Sequence, residues 1–90
     1  MRVSAYTPHD PGMNGKGITA SGRRAREGVT IAAPSEIPLG TKLYIPALGH
    51  EYIVEDRGGA IKGDKLDLFF ENRKDALKFG VQRLEVEIRE

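Results

Sequence analysis

The chain has 90 residues, 39% hydrophobic and 30% charged, the make-up of an ordinary soluble globule with room for one modest core. Its 14 basic and 13 acidic residues leave a formal charge of +1, which excludes the broad positive field that draws a protein to nucleic-acid phosphates. It has no cysteine, and its histidines, His9 and His50, stand far apart, so neither disulfides nor a metal-ligand spacing is on offer to reinforce so small a core.

A sheet closed on itself, with no exposed edges, is therefore the attractive architecture for one domain over residues 1–90. The opening residues, Met1 to Ser4, lack the apolar core of a signal peptide. No stretch reaches the roughly 18 to 20 apolar residues of a membrane span. In chain order, Val3 to Thr7 reads as a first strand. Pro8 to Gly28 follows, with Pro8, Pro11, Gly12, Gly15, Gly17, Gly22 and Gly28 and almost no apolar periodicity, which is loop chemistry. Loops this long are uncommon in compact domains unless they bind something, so the segment is a candidate cleft wall. Short strands are expected at Val29–Ala32, Lys42–Ile45, Tyr52–Glu55, Leu66–Phe70 and Leu84–Ile88, between turn signals. The last alternates Leu84, Val86 and Ile88 with Glu85, Glu87 and Arg89, the period of a strand with one buried face. One short helix is expected after Asn72 as N-cap, with Gly80 ending it in a left-handed conformation.

The stretch from Asp56 to Asp67 holds the most chemistry. Asp56 closes an apolar run, and Asp67 lies between Leu66 and Leu68. If the leucines face the core, strand alternation sends Asp67 and Phe69 to the other side. A carboxyl in apolar surroundings keeps its proton to higher pH, as a proton donor near neutrality must, and two carboxylates on adjacent strands hold each other's titrations apart. Such pairs cleave glycosidic bonds. On spacing alone, an equally open reading makes Asp56 and Asp64 turn residues and Asp67 a solvated side chain. Gly58 and Gly59 permit close approach by a backbone or a sugar ring, and no nucleotide-binding loop pattern is present. Arg23, Arg24 and Arg26 are either solvated surface or a fork for carboxylates. Thr19 and Ser21 offer hydroxyls, with no histidine arranged beside a serine for a triad. Tyr6, Tyr44 and Tyr52 can stack on sugars or serve as strand packing.

The order Ser4-Ala5-Tyr6-Thr7, Gly17-Ile18-Thr19-Ala20-Ser21-Gly22, Ile37-Pro38-Leu39-Gly40-Thr41-Lys42, Asp56-Arg57-Gly58-Gly59-Ala60-Ile61-Lys62-Gly63 and Asp67 resembles the three-aspartate, or 3D, domain. That family includes stationary-phase survival proteins and shares its barrel with the membrane-bound lytic transglycosylase A group. The resemblance implies a mainly β fold, a six-stranded double-psi β-barrel with one short helix. It implies an enzyme outside the cytoplasm that acts on peptidoglycan glycan strands without metal or cofactor, a lytic transglycosylase leaving 1,6-anhydro-muramoyl ends. Asp67 falls at the family's catalytic position and Asp56 at its partner's, with Tyr6, Thr19, Ser21, Gly58, Gly59 and Lys62 lining the substrate cleft. One departure stands out. Ala33, before Pro34, occupies the place of the family's first aspartate. The alternative it raises is a module that binds peptidoglycan without cutting it.

Overall fold

A computed structural model describes residues 1–7, 19, 22, 24–57 and 63–89. The protein is mainly β, and among the described residues it has strands β1 (Arg2–Tyr6), β2 (Thr30–Ala32), β3 (Lys42–Ile45), β4 (His50–Asp56), β5 (Lys65–Phe69), β6 (Gln82–Arg83) and β7 (Glu87–Arg89) and one helix, α1 (Arg73–Phe79). They form a single sheet in the order β6-β1-β5-β2-β4-β3-β7. The pairs β1/β5 and β2/β4 are parallel, and the other pairs are antiparallel.

The sheet cannot be flat. Its outer strands β6 and β7 are joined only by Leu84, Glu85 and Val86, a strap that reaches at most about 15 Å, whereas flat strands in this order would leave the edges roughly 29 Å apart. Curling into a half-barrel resolves the mismatch. Leu84 and Val86 on the strap pack against the main core, and the Leu84 N–H donates to the Met1 carbonyl at 2.8 Å.

This corrects the six-strand expectation, and it does so at the segment with the clearest alternation. Of the stretch expected as one strand, Leu84–Ile88, residues 84–86 are instead a crossing from one sheet edge to the other and only Glu87 and Ile88 lie in a strand, because Arg83 pairs with β1 while Glu87 pairs with β3. Ile88, expected in the buried face, is 62% exposed.

The main core comprises Val3, Ile31, Ala33, Leu43, Ile45, Val54, Leu66 and Leu68. Apart from Ala33, which follows β2, these residues come from alternate positions of β1 to β5, so each strand presents one face inward. On the opposite face a smaller cluster of Tyr6, Ala25, Ala32 and Phe69 is also buried. Helix α1 covers the first strand's side of the sheet through Phe79, whose ring lies 5.6 Å from that of Phe70. Its start follows the sequence, with the Asn72 side chain accepting from the Lys74 N–H at 2.7 Å. Its end differs from expectation. Gly80 has φ 64 and ψ -138, a positive φ but not the left-handed helical region, and its N–H donates to the Ala76 carbonyl. Among the described residues no helix is long and apolar enough to cross a membrane.

Candidate functional site

Strand β2 is the axis of the site. Ala32 pairs with Asp56 of β4 on one side and with Asp67 of β5 on the other, and Asp67 pairs in turn with Ser4 of β1. Two acidic residues thus flank one small apolar residue in a single row across the sheet, their Cα atoms about 10 Å apart by strand spacing. Asp67 takes its orientation from alternation: Leu66 and Leu68 enter the main core, so Asp67 turns toward the side of Phe69 and is half-buried.

Asp56 reaches that face by a different route. Val54 belongs to the core, and unbroken alternation would send Asp56 inward as well. Between Ile31 and Ala32 the register shifts, so Ile31 pairs with Val54 but Ala32 pairs with Asp56. Glu55 is the extra residue of a β-bulge, and the bulge re-aims the chain after it. Both Glu55 and Asp56 are buried, at 2% and 8% exposure, and both carboxylates find partners on the site side.

The Asp56 Oδ2 accepts a hydrogen bond from the Tyr6 hydroxyl at 3.1 Å, and its Oδ1 accepts from the Arg57 N–H at 2.9 Å. Tyr6 is itself buried, with its ring edge-on to Phe69 at 5.4 Å. Burial first, then the charge of Asp56 and the hydrogen bond to it, then the charges of Asp67 and Glu55, push the Tyr6 phenol well above its ordinary value of 10.0. The phenol therefore stays protonated and serves as a fixed donor to Asp56. Glu55 is held separately. Its Oε1 accepts from the Thr30 hydroxyl at 2.7 Å, its Oε2 lies 3.7 Å from the Arg26 guanidinium, and the Arg26 N–H donates to the same Thr30 oxygen at 2.9 Å. This clasp fixes the end of the glycine-rich segment where Ala25 packs against the Tyr6, Ala32 and Phe69 cluster.

Of the expected site residues, the structure brings together Asp56, Asp67 and Tyr6. Thr19 is buried, and its carbonyl accepts from the Gly22 N–H at 2.9 Å. Ser21, Gly58, Gly59 and Lys62 lie outside the described residues. Ala33 is fully buried in the main core beside Ile31, and its N–H donates to the Asp56 carbonyl at 3.1 Å. Its side chain thus points away from the two carboxylates, and Ala32 is the residue that lies between them. Glu55, Thr30 and Arg57 were not singled out from the sequence. A pair of adjacent acids closing an apolar run, Glu55-Asp56, was the only local hint, because a bulge is set by the partner strand.

Residues 29–89 match the 3D domain family. The chain belongs to that family. The matched stretch contains Asp56, Asp67 and Ala33, while β1 with Tyr6 precedes it. The cell wall-binding protein YocH of Bacillus subtilis (strain 168) is 38% identical over 90 residues, covering 96% of this chain and 30% of YocH. YabE of the same organism, named for a role in cell wall shaping, is 32% identical over 87 residues, covering 94% of this chain and 21% of YabE. This 3D domain therefore spans less than a third of the length of either relative.

Proposed function

We propose that the protein acts on bacterial peptidoglycan at the cell wall, as a lytic transglycosylase that cleaves the bond between N-acetylmuramic acid and N-acetylglucosamine. The observation that carries this reading is the placing of Asp56 and Asp67 on one face, on either side of Ala32. Asp67 is the general acid. Its carboxyl donates a proton to the glycosidic oxygen as that oxygen leaves the muramoyl anomeric carbon. The muramoyl 6-hydroxyl then bonds to that carbon and gives its proton back to Asp67, so one carboxyl serves both half-reactions and no water is consumed. Asp56 is held between the Tyr6 hydroxyl and the Arg57 N–H. A carboxylate held there stabilises positive charge developing on the sugar. Thr19, Ser21, Gly58, Gly59 and Lys62 are proposed to line the path of the glycan.

Loss of the family's first aspartate bears less on this chemistry than the sequence implies, because the Ala33 side chain belongs to the core. A second reading, glycan binding without cleavage, is favoured by the name of YocH as a cell wall-binding protein. The deciding experiment incubates the protein and its Asp67→Asn variant with peptidoglycan sacculi and analyses the soluble products by mass spectrometry. Products ending in 1,6-anhydro-muramic acid, absent with the variant, are expected. Retention on sacculi with no product would replace the enzyme by the binding module.

A further inference from the structure

A groove of about 520 Å³ shares no residue with the Asp56 and Asp67 row. It lies between the turn leading into β3 and the end of β7. Its bed is apolar, with Pro38, Leu39 and Ile88 all exposed, and its rim carries Lys42 and Arg89 as cations and Glu36 as an anion. The wall is stiff: the Thr41 N–H and hydroxyl both donate to the Pro38 carbonyl, and the Gly40 N–H donates to Val54 at 2.7 Å.

The two cations are the feature that calls for a ligand. Lys42 and Arg89 are direct cross-strand partners, and like charges in that position repel. The contact from Arg89 to Glu87 is long, at 3.9 Å, and exposed, so it relieves little of that repulsion. The Arg89 guanidinium lies over the Tyr44 ring, 4.4 Å from its centroid, which orients it. A carboxylate lodged between the two cations would turn a repulsion into a two-pronged grip. The groove also adjoins the acid site. Arg57, next to Asp56, donates from its guanidinium to the Pro34 carbonyl at 3.1 Å, and Pro34 in turn accepts from the Ile37 N–H in the groove wall. Ala33, bonded to Asp56, is at most about 11 Å along the chain from Glu36.

We propose that this groove is a subsite for a carboxylate-bearing peptide, the stem peptide carried by the muramoyl sugar, an inference that rests on the peptidoglycan reading above. The small apolar side chains of such a peptide lie on Pro38, Leu39 and Ile88. A peptide carboxylate sits between Lys42 and Arg89, and the amine of the diamino acid faces Glu36.

The test uses the Asp67→Asn protein, so that no substrate is cut, with and without the added pair Lys42→Ala and Arg89→Ala, both at exposed positions. Calorimetric titration compares glycan chains bearing stem peptides, the same chains stripped of peptide by an amidase, and a synthetic stem tripeptide. The parent is expected to bind the peptide-bearing chains about tenfold more tightly than the stripped ones, and the double substitution to erase that difference without weakening binding to stripped chains. A preference that survives the substitution, or an equal loss on both chains, overturns the inference. If neither glycan binds, the peptidoglycan reading fails at the acid site, and the groove is judged on the tripeptide alone. Amide shifts of residues 36–42 and 88–89 on adding it support the subsite, and their absence overturns it.

Discussion

Replacing Tyr6 by phenylalanine removes one oxygen and leaves the ring against Phe69. The lost contact is the 3.1 Å hydrogen bond to the Asp56 carboxylate, between residues that are each 8% exposed. A hydrogen bond to a charged group contributes about 1.5–3 kcal/mol, so Tyr6→Phe should lower stability by about that amount at pH 7, a fall in melting temperature on the order of ten degrees for a domain of this size. The pH dependence makes the test specific. Tyr6 keeps its proton in the folded protein beyond its ordinary value of 10.0, so its contribution is fully present below pH 10. Above that value the unfolded chain gives up this proton while the folded protein holds it, and stability falls by about 1.4 kcal/mol per pH unit. Tyr52, whose phenol is also pushed up by burial, is common to both proteins and cancels in the difference. Urea denaturation of parent and variant from pH 7 to 11.5 should therefore show a gap that is constant up to about pH 10 and then closes. A gap that stays constant to pH 11.5, or no gap at pH 7, would refute the role given to this hydroxyl.

Asp67→Asn should cut cleavage by about 10²- to 10⁴-fold, the scale of general acid–base catalysis, with a melting temperature close to the parent's, whereas Asp56→Asn should cost less turnover; a muropeptide release assay ranks the two. Ala33→Asp should lose several kcal/mol in denaturant titration instead of gaining activity, because the new carboxylate enters the main core beside Ile31 as a buried charge. Thr30→Val should cost about 1–3 kcal/mol, since it strips Glu55 of its hydroxyl donor and the Arg26 N–H of its acceptor. Faster amide exchange at Ala25 and Arg26 would accompany that loss.

The central strands were legible because each carries an apolar run between turn residues, and Asp67 could be oriented because alternation within β5 is unbroken. The helix announced itself through Asn72. Asp56 was named for its place after an apolar run, but its orientation was not readable, since the bulge at Glu55 arises from how β4 pairs with β2. The same limit explains the misreading of Leu84–Ile88. Alternation reports which side chains can share a face, and it carries no information on which partner each end will find. The tie between Tyr6 and Asp56 spans 50 positions of sequence, so tyrosine near the start of the chain could be read only as sugar-stacking or packing.

The bulge in β4 has an evolutionary corollary. Removing residue 55 would place the aspartate directly after Val54, and plain alternation would still turn it to the site face. What the extra residue adds is a second buried acid, Glu55, with partners of its own. A lineage of such half-barrels can therefore gain or shed that second acid by a single codon while the first keeps its place.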